Sequence, residues 1–132
     1  MTQPPQDMLA PAHAIARFIA SGDDAALDGV FARDVTIIEN FAPHIFRDAA
    51  TWRAEMLAHR RPLSDLAYRF APALDFNEAD GRAFFTLPVT WTGKLRGKPF
   101  RELGGKSLVL ARETGAWRVA AYAWSVMEMR FD

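Results

Sequence analysis

Residues Ala83, Phe85, Leu87, Val89 and Trp91 place an apolar or aromatic side chain at every second position. Successive side chains of a strand point to opposite faces, so this run demands a strand with one buried face. A single strand cannot bury that face by itself, and the chain must therefore supply a sheet and something to cover it. The same period recurs upstream, where Leu66, Tyr68, Phe70, Leu74 and Phe76 share the even positions while Arg69 and Asp75 fall on the odd ones. Pro72 marks an edge or a bulge within that stretch. NEADG at 77–81 is a turn, and GKLRGKP at 93–99 supplies the next hairpin connection. A further strand is expected near Lys106–Arg112, followed by a turn over residues 113–116 and a last strand over Trp117–Met129.

The last strand is apolar on both faces. Trp117, Val119, Ala121, Ala123 and Ser125 share one parity, and Arg118, Ala120, Tyr122, Trp124 and Val126 share the other. With helices on the odd face, the small Ala121 and Ala123 leave volume that a ligand can fill. Tyr122 and Trp124 would then lie on the outer sheet face, where a second copy of the chain is the simplest cover, and a homodimer through these two residues is expected.

Helical signals are confined to the first half. Residues 1–10 are expected to form a loose, Pro-rich segment, with a single domain over 11–132. Pro11 can open a helix on which Ile15, Phe18 and Ile19 share a face, and Ser21-Gly22 ends it. Asp23 or Asp24 caps a second helix carrying Leu27, Val30 and Phe31, and Asp48 caps a third that runs to Pro62 with Trp52, Met56 and His59 nearly in line. The fold class is accordingly α+β: three helices in the N-terminal half and a curved antiparallel sheet wrapped around them.

Between the second and third helices stands VTIIENFAPHIF, residues 35–46, in which Val35, Ile37, Glu39 and Phe41 share one parity. An unpaired carboxylate on an apolar face costs several kcal/mol, on the order of the penalty for a buried ion, unless something hydrates, pairs or protonates it. Glu39 is therefore either a general base or ligand anchor with a raised pKa, or a carboxylate at a frayed, wet strand end.

Composition narrows the function classes. Sixteen basic and sixteen acidic residues cancel without a block of like charge, so no nucleic-acid or anionic-membrane partner is expected. Without cysteine, and with three dispersed histidines, neither a disulfide framework nor a structural metal is expected, and no cofactor is assigned. MTQPPQDMLAPAH has no basic start and no long apolar run, which leads to the expectation of a cytoplasmic protein.

The order of these elements, with Gly22-Asp23, the Phe-Ala-x-Asp-x-Thr pattern at Phe31–Thr36 and Trp-x-Val at Trp117–Val119, resembles the nuclear transport factor 2-like superfamily. The resemblance runs from about Pro11 to the end and is strongest to the SnoaL-like and ketosteroid isomerase-like branches. It implies a cone-shaped, cystatin-like roll with a cavity between sheet and helices, and dimers built on the outer sheet face. It also implies that Glu39 stands where the ketosteroid isomerase-like pattern carries the carboxylate that moves a proton beside a carbonyl. The tyrosine which that branch places on its first helix has no counterpart in AHAIARFIAS, where Ile15 and Phe18 stand.

The candidate catalytic set is Glu39 with His44 or Tyr68 as partner donor. His44 is expected in a loop that could fold over the cavity mouth, or face solvent. Tyr68 is an inward-pointing donor or a core residue whose hydroxyl finds a partner. Phe18, Trp52, Met56, Phe85 and Trp91, with Ala121 and Ala123, are the candidate walls of a pocket for a small apolar molecule. His13 is expected at the surface. The activity implied is that of an isomerase, dehydratase, cyclase or hydrolase; the alternative is a binding or dimerisation module without chemistry.

Overall fold

The structure, a computed structural model, describes residues 2–132. Helix α1 spans Gln6–Ser21 and is closed by Gly22 in the left-handed conformation, whose N–H reaches the Phe18 carbonyl at 2.7 Å. The helix thus begins five residues before Pro11, and the loose segment is shorter than expected. Met8, Pro11 and Ala12 are buried, so the apolar stripe extends upstream. Gln3 is tied down as well, its side chain exchanging two hydrogen bonds with the Ala73 backbone at 2.7 and 3.0 Å.

The second helix is reduced to a single 3-10 turn, Asp24–Leu27, capped by the Asp23 carboxylate accepting from the Ala25 N–H. Gly29, at φ +69°, ends it, and Phe31 already belongs to a strand. Helix α2, Ala49–His59, starts as expected on Asp48, which accepts from Thr51 N at 2.7 Å. Arg60, just beyond α2, donates to the Ile19 and Ala20 carbonyls at the end of α1 and so joins the two helices.

Seven strands follow in chain order: β1 Phe31–Ile38, β2 Ile45–Phe46, β3 Leu63–Phe70, β4 Leu74–Ala79, β5 Arg82–Leu95, β6 Lys98–Glu113 and β7 Ala116–Phe131. Their order in the sheet is β2-β1-β7-β6-β5-β3, with β4 also paired to β5. All pairs are antiparallel except β1 with β7. The strand read from Leu66 to Phe76 is two strands, broken at Ala71–Ala73 around Pro72, which has no N–H to give a ladder. The long strands β5, β6 and β7 curl around α1 and α2, and the core between them is built on Ile15, Phe18, Trp52, Phe85, Leu87, Val89, Leu108, Leu110 and Val119.

One irregularity decides the interior. Leu110 pairs with Val119 and Val109 with Ala121, so Ala120 is an extra residue on β7. Such a bulge inverts the parity of everything beyond it. Trp117 and Val119 face inward as expected, but after Ala120 the inward positions are Tyr122 and Trp124, and Ala121 and Ala123 turn to the outer face. The roles expected for these four residues are therefore exchanged. A second extra residue, Met127, lies between the pairs Gly104–Val126 and Leu103–Glu128 and brings Met129 back inside, opposite Glu102. Gly104 makes the fit possible. A Cβ there would lie 2.3 Å from the Trp124 ring and 2.5 Å from the Ser125 carbonyl oxygen, so the indole rests on bare backbone.

Candidate functional site

A cavity of about 320 Å³ opens between the inner sheet face and the two helices. Its walls are largely apolar, formed by Ile19, Met56, Leu66, Trp91, Phe100 and Trp124. The polar groups facing it include Glu39, Glu102, Lys106 and Tyr122, and His59 stacks on Phe41 along its lining, with ring centroids 4.4 Å apart.

The alternation of β1 carries through to Glu39. Val35, Ile37 and Glu39 are buried and Ile38 is exposed, so the carboxyl group enters the cavity wall only 3% exposed. The indole N–H of Trp52 donates to Glu39 Oε2 at 2.8 Å. Burial raises the Glu39 pKa to about 7, against the opposing influence of the Trp52 hydrogen bond, the Lys106 charge and the Tyr122 hydroxyl. Desolvation wins. Tyr122, completely enclosed, is itself pushed well above the ordinary tyrosine range by burial and by the neighbouring Glu39, and is a neutral O–H donor at physiological pH.

Lys106 is buried as well, 1% exposed. Its Nζ has no hydrogen-bond partner and lies 5.2 Å from the Tyr122 ring centroid and 5.8 Å from that of Phe70. Burial lowers its pKa to about 8, with the Glu39 carboxylate acting in the opposite direction. Glu102, two positions along the same face from Gly104, is raised by burial.

The remaining sequence candidates divide. Met56 and Trp91 line the cavity. Trp52 stands behind Glu39 as its hydrogen-bond donor, and Phe18 packs on Trp52 with centroids 5.5 Å apart, so neither forms the wall. Phe85 is core, edge-on to Phe76. His44 does not meet the Glu39 carboxyl. It is exposed, and its Nδ1 and backbone bond to the Glu39 main chain at 3.0 and 2.9 Å, fixing the loop rather than sharing a proton with the acid. Tyr68 points to α1, where its hydroxyl bonds His13 Nδ1 at 3.0 Å. His13 is thus half-buried against Tyr68 and Phe70, not at the surface. Lys106, Glu102 and Tyr122 were missed as site residues. For the first two the signal was present: Phe100, Glu102, Lys106, Leu108 and Leu110 share one parity of β6, and an ionisable group in such a run raises the same question as Glu39.

Fold and cavity together define the class: this is the nuclear transport factor 2-like fold, an α+β cone of curved sheet around helices with a cavity between them. Among solved structures, hexachlorocyclohexane dehydrochlorinase LinA-type3 from Novosphingobium barchaimii superposes with a TM-score of 0.80 over 95% of this chain and 87% of that chain, at 8% identity. A ketosteroid isomerase-like protein from Erwinia carotovora atroseptica gives 0.74 over 92% and 94%, at 17% identity, and a CaMKII hub from S. rosetta gives 0.77 over 96% and 99%, at 16%. These identities establish the fold alone. No protein-family model and no curated protein matches the sequence. No helix among the described residues is long and apolar enough to cross a membrane.

Proposed function

We propose that the cavity binds a small, largely apolar molecule and that Glu39 acts in it as a general base, removing a proton from carbon beside a carbonyl. The observation that carries this reading is a carboxyl group held by an indole N–H at the wall of an apolar cavity, with its pKa raised to about 7. A base poised there is half ionised at neutral pH and still strong enough to take a proton. Tyr122 replaces His44 and Tyr68 as the partner donor, its hydroxyl acting on the Glu39 carboxyl and favouring the ionised base. The reaction belongs to the isomerase or lyase type, in keeping with the dehydrochlorinase and isomerase-like neighbours.

The test is exchange of solvent deuterium into the α-position of a panel of apolar ketones, followed by NMR. Glu39→Gln is expected to cut the exchange by at least about a hundredfold, the usual scale for loss of a general base. Exchange that is unchanged in Glu39→Gln, or a Glu39 carboxyl titrating near 4.5, removes the reading.

A second reading, self-association through the outer sheet face, has its own support. Ile45 pairs with Ile38, Ile38 with Ala123, Thr36 with Ala121, and Ala121 with Val109, a stripe of apolar and small side chains across four strands on which Ile38 is 46% and Ile45 51% exposed. Uncovered, such a patch is unfavourable in water. The dimer is therefore reassigned from Tyr122 and Trp124 to this stripe. Light scattering is expected to give a dimer mass that drops to a monomer in Ile38→Asp; a wild-type monomer at tens of micromolar, the scale of weak association, ends the idea.

A further inference from the structure

The proposed base leaves Lys106 without a task. Lys106 lines the cavity, and its enclosed Nζ alone among the buried side-chain nitrogens and oxygens of the described residues has no hydrogen-bond partner. A buried ammonium carries three N–H donors, and leaving them unsatisfied is costly unless a ligand completes the site or the group is neutral. The neighbours narrow the ligand. Glu39 and Glu102 both face the same cavity, so a ligand carboxylate or phosphate placed on Lys106 would meet two carboxyl groups. An uncharged carbonyl meets no such repulsion, and the aromatic and aliphatic walls suit an apolar body behind it.

We propose that Lys106 is a nucleophile that condenses through Nζ with the carbonyl carbon of an apolar aldehyde or ketone bound in the cavity. The proposal rests on reading the cavity as a small-molecule site and assigns the class of its substrate. In the addition step the Nζ lone pair forms the C–N bond, the carbonyl π pair moves to oxygen, and that oxygen takes a proton while nitrogen releases one. In the second step the carbinolamine hydroxyl accepts a proton and leaves as water as the nitrogen lone pair closes the C=N bond. Free amine, carbonyl and one proton thus give an iminium and water. The acid form of Glu39 is the proton source within the cavity, and its base form then takes the α-proton that the iminium has made acidic. Burial supports the same assignment: with its pKa near 8, Lys106 holds on the order of a hundredfold more free amine at neutral pH than an exposed lysine.

The chain has three lysines, Lys94, Lys98 and Lys106, which makes the experiment self-controlled. The intact protein is treated at pH 7 with propanal or hydrocinnamaldehyde and sodium cyanoborohydride, and the lysine-bearing peptides are quantified by mass spectrometry. Lys106, although buried, is expected to gain the mass of the aldehyde less its oxygen about tenfold faster than either other lysine, its larger free-amine fraction being offset in part by the lower nucleophilicity of a less basic amine and by the enclosure of Nζ. Label confined to Lys94 and Lys98 overturns the proposal. Lys106→Arg, which keeps the charge but forms no reducible imine, is expected to lose the fast label and leave the slow labelling unchanged; fast label that survives this substitution also overturns it. Trapping requires no C–H cleavage, so the two readings fail separately. Fast label at Lys106 in a protein without deuterium exchange leaves Lys106 standing and removes the base, while exchange without label does the reverse. In Glu39→Gln the adduct is expected to form several-fold more slowly, as loss of a general acid implies; an unchanged rate removes Glu39 as the proton source.

Discussion

Replacing Lys106 by Met is expected to stabilise the protein at pH 7 by about 3 kcal/mol, the free-energy equivalent of lowering a lysine from 10.5 to about 8. Methionine fills a similar volume with no charge to desolvate, and exchange of a buried ion for an apolar side chain is commonly stabilising. The sign follows from the direction of the shift. A lysine whose folded pKa is depressed contributes full stability above its unfolded pKa and loses it as pH falls toward and through the folded value. Wild-type stability should therefore decline from pH 10.5 down to about pH 8, and the advantage of the Met variant should open over that window. Loss of the ammonium also withdraws a charge that favours ionised Glu39, so the Glu39 pKa should rise further above 7 in this variant. Denaturant midpoints at pH 7 and pH 10.5 decide the matter. A Met variant no more stable than wild type at pH 7 would mean that Lys106 is solvated or paired when the protein is folded.

The complementary result is expected for Glu39→Gln. Here the folded pKa is raised, from 4.5 to about 7, so the protonated acid is the form that folding favours. Its stabilising contribution is complete below pH 4.5 and is lost as pH rises through 7, a fall of roughly 3 kcal/mol across the window. Glutamine keeps the shape and an oxygen that can accept from the Trp52 indole, but it does not ionise. The variant should match wild type at pH 4 and exceed it by roughly that amount at pH 8, while proton exchange on ketones collapses. Stability gained where activity is lost is the pattern of a group held for chemistry rather than for folding. A Gln variant destabilised at pH 8 would instead show that the Glu39 carboxylate is a net structural asset.

The two residues are coupled across the cavity, each acting on the ionisation of the other. Their effects should therefore not add. In the double variant neither charge remains, and the gain at pH 7 should exceed the sum of the single gains by the attraction the pair had supplied, because each single variant loses that attraction and the double variant loses it only once.

Local pattern carried a good part of this protein. Alternation over residues 83–91 and 35–39 put Phe85, Leu87, Val89 and Glu39 on the faces they occupy, and Asp48 and Gly22 bound their helices where capping chemistry requires. Period and caps are properties of a few consecutive residues, which is why they are legible in one dimension. The helix start was misjudged because Pro11 is tolerated in the second turn of a helix whose buried side continues upstream through Met8. His44 and Tyr68 were plausible donors by residue type, but what a hydroxyl or imidazole touches depends on the loop and helix packed against it.

Alternation along the chain was enough to define an α+β protein with one buried sheet face and to put Glu39 on the parity of Val35 and Ile37, but it left open whether the carboxyl group is enclosed or stands at a wet strand end. Only the tertiary structure decided what surrounds the carboxyl. One unpaired residue, Ala120, shifts β7 against β6 and sends Tyr122 and Trp124 into the cavity and Ala121 and Ala123 out of it. Both faces of β7 are apolar, so burial energy along the strand scarcely distinguishes the two parities; the choice is made by register against the neighbouring strand and by the bare backbone at Gly104 that receives the Trp124 ring.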